Sequence, residues 1–262
     1  MFKIIHIIFG DKMKNQLKLT VLGASGRMGS TIIEEVLKSS EIKLHSVSEV
    51  TQHQWIGRDL GDILNGKKTG VFVTDDLSEA IKGSDAVIDF TQPNNTVECS
   101  KLCSHRGVAH IIGTTGFNKN QENEILDASK KTAIVKAGNM SLGINLLTTL
   151  IERVAASLDA DFDVEILDIH HRNKLDAPSG TALMLGESVA KGRGEKLTEV
   201  MLPIREGITS VRERGKIGFA ALRSGGVIGE HEVIFASETE KISIKHEALS
   251  RNIFANGALK AA

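Results

Sequence analysis

Leu17-Lys-Leu-Thr-Val-Leu-Gly-Ala-Ser-Gly-Arg-Met-Gly29 decides the fold of the first half of the chain. The short apolar run Leu17 to Leu22 reads as a strand and leads straight into glycines at 23, 26 and 29. An amphipathic helix follows, with Met28, Ile32, Ile33, Val36 and Leu37 at helical spacing. Glycine at a strand end lets the chain turn sharply, brings backbone close to a pyrophosphate and lets the helix pack on the sheet. The helix start then offers N–H groups and a positive dipole to the phosphates. The spacing is G-x-x-G-x-x-G, not the common G-x-G-x-x-G, and on its own such a motif is weak because glycines also serve plain turns. Here Glu49 closes the next strand, Lys43–Ser48, and lies 20 residues past Gly29, where an acidic side chain holds ribose hydroxyls. A carboxylate there repels a 2′-phosphate and its neighbour is Val50, so NADH is expected over NADPH, with Arg58 the one nearby group able to reach a phosphate.

Working outward, residues 51–68 are polar and irregular, a loop with at most one helical turn. Alternation then resumes: strand 70–73, helix 77–82, strand 86–90, helix 94–105, strand 108–112, helix 119–129 and strand 133–135. Strands alternating with helices of this length specify βαβ units and a Rossmann-like, doubly wound parallel sheet. Gly113-Thr114-Thr115-Gly116 and Ala137-Gly138-Asn139-Met140 each follow a strand, and ligands of such sheets bind beyond the carboxyl ends of strands. From position alone they are equally well ordinary β-to-α turns.

The pattern changes after Met140. A long helix (142–158), a strand (162–169), a polar stretch, a helix (181–191) and then several glycine-punctuated strands across 208–247 describe an α+β module with a mixed sheet. A final helical stretch begins near Ser250. The expected organisation is an extension over 1–15, a dinucleotide-binding domain over 16–140 to which 251–262 returns, and a second domain over 141–250. Met1 to Phe9 is shorter than the usual signal-peptide core and lacks a small-residue cleavage site, so it reads as an extension, with Met13 a candidate start.

Composition narrows the function. The 262 residues carry 32 Lys+Arg against 33 Asp+Glu, a balance that speaks against a nucleic-acid partner. No run reaches the ~20 apolar residues of a membrane helix. Cys99 and Cys103 are the only cysteines, too few for a disulfide framework or a four-ligand zinc cluster, so reduced, partly buried thiols and a cytoplasmic setting are expected.

The densest polar stretch is His170-His171-Arg172-Asn173-Lys174, followed by Leu175-Asp176-Ala177-Pro178-Ser179-Gly180-Thr181. Clustered cationic side chains suit an anionic substrate, and Pro178 to Thr181 reads as a helix start able to bind a carboxylate. His170 and Lys174 are candidates for general acid–base chemistry. The competing reading is a solvated basic loop. A metal is not expected, since the adjacent histidines have no third ligand at useful spacing.

Asp168 to Thr181 closely resembles the signature of the 4-hydroxy-tetrahydrodipicolinate reductase (dihydrodipicolinate reductase) family of lysine and diaminopimelate synthesis. Gly23–Gly29, Asp89-Phe-Thr91, Ile112–Phe117, Gly138–Ser141 and Gly229-Glu-His231 match that family in order, so the resemblance runs from about Lys18 to Ala262. It implies a two-domain, NAD(P)H-dependent reductase acting on a cyclic dicarboxylate, assembled as a homotetramer through the sheets of the second domains. It implies that Gly23, Ala24, Ser25, Gly26, Arg27 and Met28 hold the pyrophosphate and Glu49 the adenosine ribose. Gly113, Thr114 and Thr115, with Ala137, Gly138, Asn139 and Met140, would line the nicotinamide side. His170 and Lys174 would handle the proton, and His171, Gly180 and Thr181 would grip the substrate carboxylates. The family pattern carries a further apolar segment beyond Ala-Asn-Gly-Ala-Leu-Lys-Ala-Ala262. Two alternatives remain at this point: another two-domain nicotinamide dehydrogenase, which has no reason to carry the His170–Thr181 string, and a non-catalytic NADH-binding protein.

Overall fold

The computed structural model describes residues 16–64, 66–208 and 210–262. The N-terminal extension and the Met13 start lie outside them. Contacts divide these residues into two compact units, one ending at Val135 and the other spanning Lys136–Ala261.

The first unit is the expected doubly wound domain. Its strands are β1 (Leu17–Leu22), β2 (Ile42–Ser48), β3 (Val73–Thr74), β4 (Ala86–Asp89), β5 (Ala109–Ile112) and β6 (Ile134–Lys136), in the order β3-β2-β1-β4-β5-β6. The pairs β2–β3, β1–β2, β1–β4 and β4–β5 are parallel. Strand order reverses between β1 and β4, and both strands are almost wholly buried because helices cover both faces of a parallel sheet. The connecting helices are α1 (Arg27–Lys38), α2 (Leu60–Leu64), α3 (Leu77–Ile81), α4 (Pro93–Arg106) and α5 (Lys119–Ser129). Helix α1 buries Ile32, Ile33 and Val36 as its spacing required, but Leu37 stays 43% exposed because it sits off that stripe. Cys99 and Cys103, one turn apart on α4, are fully buried rather than partly so, packed with Leu22, Ile81, Val87 and Val108. Leaving water pushes the Cys99 thiol well above its ordinary range, which keeps it protonated and inert.

The second unit holds α6 (Leu142–Ser157), β7 (Asp163–His170), α7 (Gly180–Gly192), α8 (Leu197–Val200), β8 (Ile217–Arg223), β9 (Glu230–Ala236), β10 (Lys241–Glu247) and α9 (Asn252–Ala261). Its sheet runs β10-β9-β7-β8, with β7 and β8 parallel and the β9 pairings antiparallel, hence mixed as expected. Residues 210–214, read from the sequence as part of the strand region, are irregular, and α8 was not foreseen. Alternation along β7 and β9 turns Val164, Ile166, Val233 and Phe235 onto one face, where they form a core with Ile151, Leu185 and Val189 of α6 and α7. That face also receives Asp168, His170 and His231 at its far end.

By contacts the division falls at 135/136, a few residues before the expected 140/141, which groups Ala137 to Met140 with the second unit. Helix α9 groups with that unit as well, with Ala255, Gly257 and Ala258 buried and Gly257 set directly against the Met140 backbone.

Candidate active site

In the first unit the glycine loop is built from backbone. Gly23 has φ +69°, and its N–H and that of Ala24 both donate to the Ser48 carbonyl at 2.9 and 3.0 Å. A Cβ at Gly29 would fall 2.0 Å from the Gly23 carbonyl oxygen, so only glycine lets α1 start this close to the turn. Gly26 is the N-cap of α1 with no side-chain cap, and no acidic residue occupies the first turn. The first-turn N–H groups thus face no competing side-chain anion, the arrangement a phosphate needs. Alongside runs a cleft of 360 Å³ lined by Gly23, Ser25, Gly26, Glu49, Phe90 and Thr91 among others.

Glu49 accepts the Ser25 N–H at 2.8 Å and the Val50 N–H at 2.9 Å. Partial burial pushes its carboxyl up, but those hydrogen bonds and the nearby His53 outweigh it and hold the group below its ordinary range. An anionic acceptor beside an uncapped helix start is what an adenosine ribose and a pyrophosphate require. The residues present therefore fit a dinucleotide.

Beyond β4 and β5 lies a buried network that sequence reasoning missed. Asp89 accepts from the Thr91 N–H (2.8 Å), the Thr91 hydroxyl (2.6 Å) and the Thr114 hydroxyl (3.3 Å). Its other oxygen lies 3.5 Å from His110 Nε2, and His110 Nδ1 bonds Ser100 Oγ at 3.0 Å. The Thr114 side chain is thus spent inside the fold, where it also accepts from Thr96 at 3.0 Å, while Thr115 is exposed. Burial raises the Asp89 carboxyl, and His110 with the threonine hydroxyls overcomes this and keeps it ionised.

In the second unit Asn139 organises the segment before α6. Its Oδ1 accepts the Ser141 N–H at 2.8 Å, its Nδ2 donates to Thr181 Oγ1 at 3.0 Å, and Ser141 Oγ caps α6 at Ile144 N. A residue expected on the cofactor side is therefore bonded to one expected on the substrate side. Thr181 lies in the first turn of α7, and Ser179 caps that helix by accepting from Ala182 N at 3.2 Å.

Around this helix start sits the polar cluster. His170 Nδ1 is 2.5 Å from Asp168 Oδ1, and Asp168 Oδ2 accepts the Ser179 N–H at 2.8 Å. His231, directly opposite Asp168 in the β7–β9 register, bonds Ser179 Oγ through Nε2 at 3.1 Å and lies 3.6 Å from Asp168 Oδ1. Lys174 pairs with Asp176 at 3.0 Å and has only 22% of its side chain exposed, so it is not part of a freely solvated basic loop. His171 Nδ1 is buried and has no hydrogen-bond partner among the described residues, as suits a group kept for a ligand.

Burial pushes the Asp168 carboxyl up, yet His170, the Ser179 N–H and His231 together hold it far below the ordinary carboxylate range. His231 moves the other way: burial, then the neighbouring His170, bring it down to about 4. Sequence spacing showed no third donor near the adjacent histidines, whereas the fold gathers Asp168, His170 and His231 with donor atoms within 4.8 Å. The Asp168 Oδ1–His170 Nδ1 separation is nevertheless 2.5 Å. It is shorter than two ligands of one tetrahedral zinc stand apart at bond lengths of about 2.0–2.2 Å. Asp168, Ser179 and His231 went unassigned in the sequence; the cue for Asp168 was its i, i+2 spacing from His170 on one strand.

Residues 17–140 match the family described as Dihydrodipicolinate reductase, N-terminus, and residues 143–262 match Dihydrodipicolinate reductase, C-terminus. The chain belongs to the dihydrodipicolinate reductase family. A 4-hydroxy-tetrahydrodipicolinate reductase of Ruegeria sp. (strain TM1040) is 50% identical over 250 residues, 95% of this chain and 93% of that protein. Its counterpart from Dinoroseobacter shibae is 52% identical over 244 residues, covering 93% and 91%. Among solved structures, the dipicolinate-bound dihydrodipicolinate reductase of Paenisporosarcina sp. TG-14 superposes with a TM-score of 0.73 at 25% identity, covering 94% of this chain and 93% of that one. An amine dehydrogenase from Mycobacterium smegmatis, at 14% identity and TM-score 0.64, shares the fold and covers 94% of this chain. Family membership thus rests on both halves of the sequence, not on the glycine loop alone.

Proposed function

We infer that this chain is a reductase that uses NAD(P)H to convert 4-hydroxy-tetrahydrodipicolinate, with loss of water, to tetrahydrodipicolinate, a step in lysine synthesis through diaminopimelate. The observation that carries this reading is the His170–Thr181 string folded around Asp168, in a chain half identical to relatives bearing that enzyme name. A nicotinamide supplies the hydride; with a proton from the protein, the substrate gains one C–H bond at ring carbon 4 and another beside it. The first unit holds the cofactor, Gly23 to Met28 at the pyrophosphate, Glu49 at the ribose, and Gly113 and Thr115 toward the nicotinamide.

In the second unit, the α7 start at Gly180 and Thr181 takes one substrate carboxylate, with N–H donors held in place by the Ser179 cap. Lys174 and His171 offset the remaining negative charge, and such fixed electrostatic complementarity is commonly the largest part of catalysis. Proton delivery falls to His170 or Lys174. The Paenisporosarcina relative is dipicolinate-bound, and a dicarboxylate suits the same set of groups.

NADH is the expected partner over NADPH, because the anionic Glu49 is followed by an exposed Val50 and not by a cation. A homotetramer is supported by the other face of the second sheet, where Leu167, Ile169 and Ile234 stand half-buried and outside the core cluster. A cytoplasmic setting accords with two buried free thiols, and no helix among the described residues is long and apolar enough to cross a membrane.

The test is loss of nicotinamide absorbance with substrate generated from pyruvate and aspartate semialdehyde by the preceding synthase. Consumption that needs both precursors and the synthase is expected, faster with NADH. Tight NADH binding without consumption would favour a non-catalytic protein, and neither would contradict the dinucleotide site.

A further inference from the structure

We propose that Asp168 is the positioning residue of this site, one buried carboxylate that aims the His170 ring with one oxygen and anchors the substrate-binding helix start with the other. The inference rests on the reductase reading and adds to it a residue that touches no ligand. Three geometric facts carry it. Asp168 is 1% exposed at the end of β7, and its Oδ1 meets His170 Nδ1 at 2.5 Å. Its Oδ2 accepts the N–H of Ser179, the residue whose hydroxyl caps α7 at Ala182. A Cβ at Gly229 would lie 3.0 Å from His170 Nε2, so glycine there leaves room around the ring's other nitrogen.

The consequence is a fixed ring orientation. With Nδ1 turned to the carboxylate at 2.5 Å, Nε2 is the atom left to face a ligand, and an imidazole held this way has one productive orientation. An aspartate can do this because it accepts through both oxygens. Asparagine has a single carbonyl oxygen: it can still accept the Ser179 N–H, but its amide nitrogen cannot accept from His170 Nδ1. The two duties are therefore separable by one substitution.

The charged and titratable groups around the pair come from every neighbouring element. His231 on β9 is 3.6 Å from Asp168 Oδ1, and Arg223 on β8 is 3.5 Å from Oδ2. Lys174 and Asp176 pair in the loop after β7, and the electrostatic influence of His246 on β10 reaches His231. His231 stays neutral through the working range, so it does not offset the Asp168 charge there. Removing the carboxylate takes away the anion beside His170 and leaves Arg223 without that partner, which disfavours the protonated ring.

The test is the pH profile of kcat for wild type, Asp168→Asn and Asp168→Glu. For Asp168→Asn, kcat is expected to fall on the order of 10²-fold with the substrate KM changed less than about threefold. The alkaline limb, where the acid form is lost, moves about one pH unit lower. Asp168→Glu recovers part of kcat and returns the limb toward wild type. A fall in kcat with the limb unmoved, or kcat and KM moving together, overturns the proposal, because a merely structural role would do that. Wild type that does not turn over contradicts the reductase reading and this inference with it; turnover with an unmoved limb contradicts the inference alone. If Asp168→Asn does not fold, proton NMR of the wild type decides. A strongly deshielded ring N–H that disappears in His170→Gln supports the bond to Asp168, and its absence overturns it.

Discussion

Helix α1 begins at Gly26 with no side chain capping its first turn, whereas α7 begins at Ser179, whose hydroxyl reaches Ala182 N and whose N–H is tied to Asp168. Both helix starts are assigned an anion, a pyrophosphate in one case and a substrate carboxylate in the other. The first is made of backbone and glycine, so its recognition is generic and needs few particular side chains. The second is made of buried side chains that bond one another, so its recognition is specific and each member counts. Substitutions should therefore fail differently in the two regions.

The largest effect is expected in the second. Lys174→Ala should lower kcat/KM by about 10³-fold while leaving NADH affinity unchanged, measured by turnover and by quenching of NADH fluorescence. In the first region the damaging change adds atoms. Gly29→Ala places a methyl 2.0 Å from the Gly23 carbonyl oxygen, and should weaken NADH binding by about 10²-fold, with overpacking strain of about 1–3 kcal/mol visible as a lower Tm.

The comparison also bears on what a sequence reveals. The first unit was legible nearly element by element, since alternating apolar strands and a glycine loop are local signals: β1, α1 and α5 fall where the spacing placed them. The short helix α3 was placed almost to the residue, whereas β3 was set too early, at 70–73 against Val73–Thr74, because so short a strand takes its form from packing and not from periodicity. In the site, His170 and Lys174 stood out through their neighbours in the chain. His231 did not, since it reaches Asp168 only through antiparallel pairing of β7 with β9, a contact 63 residues apart in sequence. The Asp89–His110 contact escaped notice for the same reason: one residue lies on β4, the other on β5, and their meeting is a product of sheet order.

Acid sensitivity should follow the second region too. His231 has its folded-state pKa depressed from 6.5 to about 4 by burial. Between those values the unfolded chain binds a proton that the native state refuses, so this stability is present above pH 6.5 and lost as pH falls toward 4. From pH 7 to pH 5 the loss is about 2 kcal/mol. Urea unfolding at the two pH values should show it in wild type, and a smaller pH-dependent difference in His231→Gln.

A milder change sharpens the first region. Glu49→Gln removes the anion while keeping a hydrogen-bonding side chain, and should weaken NADH by about tenfold while improving NADPH relative to it, moving the ratio of kcat/KM values. Equal losses for both cofactors would show that Glu49 reads ribose without discriminating its phosphate.

The most direct measurement of the division of labour is calorimetric titration of NADH into wild type and into the double variant His171→Ala/Lys174→Ala. Cofactor recognition confined to the first region predicts dissociation constants that agree within about twofold. A loss of about tenfold or more in the double variant contradicts it, and would place part of cofactor recognition among the side chains of the second.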